Sequence, residues 1–126
     1  MTAKRILSIG QCGADHGRIT RTFGEHFNAE VVSVDNEAEA TLRLREGRFD
    51  LILVNRILDS DGSSGVQIIK HLKANPLAQA IATMLVSNYE EAQEEAVKNG
   101  ALEGFGKGAL GHPEMMSRLR RILEDL

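Results

Sequence analysis

Two pairs of residues in this chain have the types and spacing to do chemistry. Cys12 and His16 stand four positions apart and could act as metal ligands or as a nucleophile with its base. Because no other cysteine is present and no second histidine is convincingly close, we interpret them as a buried cysteine and a helix-start histidine. Asp59 and Asp61, followed by Gly62, faintly resemble a calcium loop. No glutamate follows at the distance such a loop requires, so a surface turn is favoured.

A glycine-rich turn over residues 10–17 follows an apolar run and opens a helical pattern, and Asp35 ends the next apolar run. This arrangement is similar to a dinucleotide-binding turn with its ribose-binding acid. The spacing, however, is Gly-x-x-Gly-x-x-x-Gly and not Gly-x-Gly-x-x-Gly. We therefore favour a simple tight turn and keep nucleotide or cofactor binding as an alternative.

Length and composition limit what this chain does. Its 126 residues fit one domain, which we predict to span residues 1–126. A net charge of −3 argues against general attraction to nucleic acid. The single cysteine excludes an internal disulfide and suits a reducing compartment. No run approaches membrane-spanning length or a signal peptide, so we expect a cytoplasmic protein without a membrane partner.

Short apolar runs alternate with helical patterns along the whole chain. The predicted strands are 6–9, 30–34, 51–54, 81–86 and 101–105. The second predicted helix carries Ala40, Leu42 and Leu44 after a cap at Asp35 or Asn36, and the fourth spans 90–99. Five strands alternating with five helices predict an α/β fold with a doubly wound parallel sheet.

Ligands of such sheets bind at the carboxyl ends of the strands, near the point where the strand order reverses. The side chains just after the strands therefore decide the chemistry. These residues are Gly10, Gln11, Asn55, Ser87 and Lys107.

Several stretches carry a resemblance to a known family. The most specific are 49–55 with 65–76, the run Met84-Leu85-Val86-Ser87, and 99–101 followed by Lys107. Over about Lys4 to Leu123 the chain resembles the bacterial receiver domains of two-component response regulators. The resemblance implies a flavodoxin-like (βα)5 fold with strand order 2-1-3-4-5.

The resemblance also implies a chemistry that this sequence lacks. Receiver domains use two acidic residues to hold Mg²⁺ and an aspartate that attacks a phosphoryl donor. Here Gly10 and Gln11 replace the acids, and Asn55 replaces the aspartate. An amide is a poor nucleophile and a neutral ligand, so we predict a vestigial pocket without metal, cofactor or catalysis. Ser87 and Lys107 match the hydroxyl and lysine of the family.

The loss of three acids leaves Lys107 without its usual partners. Asp59 and Asp61 are the nearest candidates to replace them, and the alternative is that Lys107 turns outward to water. The aromatic residue that relays the family's signal aligns with Gly104, although Phe105 is adjacent. Glycine has no rotamer to switch, so the usual coupling is expected to be absent.

A protein partner is the interaction that the resemblance favours. Partners of receiver domains dock around the fourth helix, fifth strand and last helix. On that surface we select Tyr89, Arg118 and Arg121 as docking residues. The fourth helix is acidic and the last is basic, so a homodimer through this face is also possible.

The function predicted from the sequence is a non-catalytic protein-interaction module in signalling, independent of phosphorylation. One alternative is a receiver phosphorylated on a displaced acid, Asp59 or Asp61. The other is a nucleotide or cofactor binder that uses the turn from Gly10 to Gly17.

Overall fold

The computed structural model describes residues 3–124, so the outermost two residues at each end of the predicted domain lie outside it. The strands are β1 Lys4–Ile9, β2 Ala29–Val34, β3 Leu51–Asn55, β4 Thr83–Val86 and β5 Leu102–Phe105. The helices are α1 Gly13–Phe27, α2 Glu37–Glu46, α3 Gly65–Ala74, α4 Glu90–Lys98 and α5 Pro113–Glu124. No helix within residues 3–124 is long and apolar enough to cross a membrane.

The five strands form one parallel sheet in the order β2-β1-β3-β4-β5. Ile9 pairs with Val34 of β2 on one side and with Val54 of β3 on the other. The order reverses at β1, so the chain winds outward in both directions from this strand. The predicted doubly wound fold and its strand order are therefore confirmed.

Each face of the sheet has its own hydrophobic core. On one face, α2, α3 and α4 pack over side chains such as Leu7, Ile52 and Leu85. On the other, α1 and α5 pack over side chains such as Ile6, Leu53 and Met84. Strand β3 is buried along its whole length, as expected for a central parallel strand.

Local capping explains where the second helix begins. The Asn36 side chain accepts a hydrogen bond from the Glu39 amide at 2.9 Å, so Asn36 and not Asp35 caps α2. Ala40 and Leu44 of this helix are buried, but Leu42 is 57% exposed. The predicted helix therefore carries all three residues, and Leu42 faces solvent because residues two apart on a helix lie on different faces.

The edge strand β5 is irregular. Met84 pairs with Leu102 and Val86 pairs with Phe105, so β5 has one more residue than β4 between these pairs. This is the pattern of a β-bulge, which bends the strand and leaves a residue outside the ladder. The bulge falls at Glu103 and Gly104, next to the predicted pocket.

Candidate functional site

The carboxyl ends of β3, β4 and β5 bring three predicted site residues together. Asn55, Ser87 and Lys107 line one cleft of about 190 Å³. Arg56 and Tyr89 also line it, and the Arg56 guanidinium lies 4.5 Å from the centre of the Tyr89 ring. This stacked pair forms part of the rim of the cleft.

Asn55 is buried at the base of this cleft, and its amide group is fully engaged. The Nδ2 atom donates hydrogen bonds to the carbonyl oxygens of Gly10, at 3.1 Å, and Ile57, at 2.9 Å. The Oδ1 atom accepts from the Arg56 amide at 3.1 Å. An ionised aspartate has no hydrogen to donate, so it cannot replace this side chain without leaving two carbonyls opposed by negative charge.

Gly10 supplies no side chain because there is no space for one. Its φ of +75° is a left-handed conformation that L side chains rarely adopt. The Leu58 side chain, which is 1% exposed, lies where a Cβ on Gly10 would extend. The Asp59 amide then donates to the Gly10 carbonyl at 3.0 Å, which fixes the loop that carries Leu58.

A Mg²⁺ site of the kind implied by the receiver resemblance does not fit these residues. Leu58 is apolar and fills the space beside Gly10, while Gln11 is a buried neutral amide. Mg²⁺ requires oxygen ligands, usually with one or two carboxylates. Within residues 3–124 no cluster of three or more His, Cys, Asp or Glu side chains could hold a metal ion.

Lys107 forms an ion pair with Asp15, a residue of α1 that the sequence analysis did not select. Its Nζ atom lies 2.5 Å from Asp15 Oδ2. The Cys12 thiol donates to the same carboxylate oxygen at 3.1 Å. The prediction that Lys107 pairs with Asp59 or Asp61, or turns outward to water, was therefore wrong.

The position of the loop after β3 explains this difference. The Ser60 hydroxyl donates to the Asp35 carbonyl at 2.8 Å, so the loop leans toward the end of β2. Lys107 follows β5, at the opposite edge of the sheet. Asp61 accepts from the Ser63 amide at 2.9 Å, and hydrogen bonds from Ser63 hold the pKa of Asp61 below its usual range.

Asp15 is charged at neutral pH despite its partial burial. Burial raises the pKa of Asp15, but hydrogen bonds from Lys107 and Cys12 and the nearby positive charges outweigh it. The net result is a pKa below the usual carboxyl range. The Asp15 carboxylate is therefore a charged partner for Lys107.

The remaining pocket and turn residues take local roles. The Ser87 hydroxyl accepts from the Tyr89 amide at 3.0 Å and thereby shapes the turn into α4. His16 lies 3.4 Å from the Thr20 hydroxyl, whereas Cys12 bonds to Asp15, so the possible Cys12–His16 pair is not formed.

The three predicted docking residues line three different clefts. Tyr89 is 62% exposed and lies at the cleft. Arg118 donates hydrogen bonds to the carbonyls of Glu103 and Gly104, so its guanidinium is bound to the backbone of β5. Arg121 lines a separate groove at the amino end of the sheet.

Comparison with solved structures finds several proteins with this architecture. A putative response regulator from Chloroflexus aurantiacus superimposes with a TM-score of 0.83 at 16% identity, covering 97% of this chain and 98% of that one. The receiver domain of a DNA-binding response regulator from Colwellia psychrerythraea gives a TM-score of 0.79 at 20% identity, covering 96% and 98%. The chain has the receiver fold.

A chemotaxis protein from Vibrio cholerae shares the receiver fold with a TM-score of 0.74 at 17% identity, covering 97% of this chain and all of that one. No protein-family model matches the sequence. No curated protein matches it either. The likeness is therefore one of architecture, and the function has to be argued from the site.

Proposed function

We propose that this chain is a phosphorylation-independent signalling module that binds a partner protein and catalyses no reaction. The observation that carries the proposal is the bonding of Asn55. Its amide bridges the carbonyls of Gly10 and Ile57, where a phosphoacceptor aspartate would be repelled. Leu58 fills the space beside Gly10, where the receiver resemblance places an acid.

The surface that a partner contacts depends on the state of this site. In a phosphorylated receiver, a charged group added at the site changes which surface is presented. Here Asn55 and Lys107 already have partners without a phosphoryl group. The module therefore presents one surface constitutively, and its output is controlled by its abundance or by its partner.

A phosphodonor experiment tests this proposal. The purified chain is incubated with Mg²⁺ and acetyl phosphate, or with beryllofluoride, and followed by intact mass and by amide NMR spectra. We expect no added mass and no shift of the resonances of Asn55, Ser87 or Lys107. A receiver domain that retains its aspartate serves as the positive control, and a stoichiometric response of this chain would overturn the proposal.

The same experiment addresses the two alternatives. If mass is added, Asp59→Ala and Asp61→Ala identify whether a displaced acid has accepted the phosphoryl group. A thermal-shift screen with nucleotides addresses the turn from Gly10 to Gly17, because a ligand specific for the folded state raises the melting temperature. We expect no shift, since Asp15 places a negative charge in the first turn of α1.

The partner in this proposal is a different protein and not a second copy of the chain. The homodimer expectation relied on α5 arginines facing α4 glutamates. Arg118 is engaged with β5 carbonyls, Arg120 pairs with Glu124, and Arg121 lies at the far end of the sheet. Light scattering coupled to gel filtration is expected to give the mass of a monomer.

A further inference from the structure

A groove of about 790 Å³ lies at the amino end of the sheet, opposite to the end at which Asn55 is found. Most of its lining comes from two connections, residues 47–50 between α2 and β3 and residues 76–82 between α3 and β4. Leu102, at the start of β5, and the last turn of α5 complete it, and α4 contributes no residue. We call it the amino-end groove.

The groove exposes apolar surface. Leu77 and Leu102 line it and are 45% and 44% exposed, so each leaves nearly half of its surface in water. Ile81 and Ile122, which also line the groove, are only partly buried against the two cores. A ligand that covered these side chains would be stabilised by the apolar area that it removes from water.

Two arginines accompany this apolar surface. Arg48 and Arg121 line the groove and are exposed, and neither guanidinium forms an ion pair within residues 3–124. The lining contains one carboxylate, that of Asp50, and it accepts a hydrogen bond from the Arg5 amide at 2.9 Å. A guanidinium binds a carboxylate through two parallel hydrogen bonds. The charge of the groove therefore favours an anionic ligand.

Contacts with the rest of the fold hold both connections in place. The Arg5 guanidinium lies 4.5 Å from the centre of the Phe49 ring and donates to the Arg48 carbonyl at 3.1 Å. The Lys73 Nζ atom donates to the Ile81 carbonyl at 2.7 Å. A groove that is formed in advance loses little conformational entropy when a ligand binds.

A second copy of the chain fits this groove poorly. A two-fold dimer would place one groove against the other and oppose guanidinium to guanidinium. The exposed glutamates of α4 could enter the groove of another copy, but that contact joins two different surfaces and would extend into open chains. Charge complementarity with closure therefore favours an anionic partner that is a different protein.

We infer that the amino-end groove binds an acidic segment of a partner protein. A large apolar side chain of the segment packs against Leu77 and Leu102, and flanking Asp or Glu residues bind Arg48 and Arg121. This inference rests on the proposed function. A module whose output does not depend on phosphorylation near Asn55 can bind its partner at the opposite end of the sheet.

A peptide-display experiment without any phosphodonor tests the inference. Random peptides are selected on the wild-type chain, and the enriched sequences are synthesised and titrated by fluorescence anisotropy. We expect enrichment of Leu, Ile or Phe flanked by Asp or Glu. Binding is expected to weaken between about 50 mM and about 300 mM salt, because added ions screen exposed charges.

Charge-reversal variants test the two arginines. Arg48→Glu with Arg121→Glu is expected to weaken peptide binding at least about tenfold. Arg21→Glu with Lys70→Glu makes the same charge change at exposed positions outside the groove and is expected to change binding less than about twofold. Thermal melts establish that both variants remain folded.

A second pair of variants tests the apolar contact. Leu77→Asn is expected to weaken binding at least about fivefold, because the ligand then covers a polar side chain. Leu42→Asn, at a position that is 57% exposed and outside the groove, is the control and is expected to leave binding unchanged.

Several results would overturn the inference. These are the absence of enriched peptides, enrichment of basic or purely apolar peptides, and equal weakening by a groove variant and its control. Light scattering that showed the chain assembling with itself, and lost this assembly in Arg48→Glu with Arg121→Glu, would make a second copy the occupant and also overturn it. The readout is separate from the phosphodonor test, so peptide binding by a chain that also responds to beryllofluoride would defeat the proposed function alone.

Discussion

The amide nitrogen of Asn55 lies 3.1 Å from the carbonyl oxygen of Gly10, and through this bond the third strand holds the turn that follows the first. The same nitrogen donates to Ile57, so one side chain joins β1 to the loop after β3. Asparagine is therefore a structural requirement of this site. Replacement of Asn55 by aspartate would remove the bond.

We predict that Asn55→Asp is destabilising and does not gain phosphorylation. An ionised carboxylate beside two carbonyls is expected to lower the free energy of unfolding at neutral pH by about 3 kcal/mol. The pKa of the new carboxyl would be raised, because only its protonated form donates a hydrogen bond. The loss is therefore present above the ordinary carboxyl pKa and shrinks as pH falls toward about 4. Urea unfolding across this pH range measures it.

Asn36→Asp is the matched control for that change. Asn36 accepts a hydrogen bond from the Glu39 amide at the start of α2, a bond that aspartate keeps, and its Nδ2 atom donates to the Glu39 carboxylate at 3.2 Å, a bond that aspartate loses. Because the lost bond and the new carboxylate contact are exposed to solvent, we expect the unfolding free energy to fall by less than about 1 kcal/mol. Equal stability of Asn55→Asp and the control at neutral pH would contradict the role given to the Asn55 amide.

We predict that Gly10→Ala is destabilising by about 3 kcal/mol, because it combines a positive φ with a clash against Leu58. Adding Leu58→Ala removes the closest contact, with the Leu58 Cγ, but keeps the Leu58 Cβ and the backbone strain, so the two losses are expected to be less than additive. Chemical unfolding of both single variants and the double variant gives the coupling. Gly17→Ala, in α1 with open space around it, is expected to be neutral or stabilising.

The Asp15–Lys107 ion pair is predicted to contribute about 1 kcal/mol, since Lys107 is 40% exposed and solvent screens the pair. The pKa of Asp15 is lowered in the folded chain, so this contribution is present at neutral pH. It is lost as pH falls through the lowered pKa. A double-mutant cycle with Asp15→Asn and Lys107→Met, measured at neutral and acidic pH, checks both the size and the direction. A coupling free energy that increased as the pH was lowered would contradict an Asp15–Lys107 ion pair.

Gln93→Ala is predicted to loosen β5. The change leaves the Gly104 amide and the Leu85 carbonyl without their partner, which is expected to cost about 2 kcal/mol. In this variant, amide hydrogen exchange at Gly104 should be faster than in the wild-type chain, whereas exchange in β1 should be unchanged. Glu94→Ala, at the next position, which is exposed, is the control. Equal rates of amide exchange at Gly104 in the two variants would contradict the role given to the Gln93 hydrogen bonds.

The site residues that the sequence predicted differ physically from those that it did not predict. Asn55, Ser87 and Lys107 follow strands, so the strand order alone brings them to one cleft. Leu58 lies in a loop, where no periodicity indicates which side chain turns inward. Asp15 was visible as the acid in the first turn of α1, but its pairing with Lys107 depends on α1 and α5 sharing a face of the sheet.

The sequence by itself determined the alternation of strands and helices, because buried runs and helical stripes are local patterns that hydrophobic burial imposes. The residues at the strand ends also predicted a site without the acids that the receiver resemblance implies. Only the tertiary structure decided which contacts these residues make. The packing of Leu58 on Gly10, the two carbonyls at Asn55 and the ion pair of Lys107 with Asp15 join segments far apart in the chain. Such contacts depend on distances that no local pattern encodes.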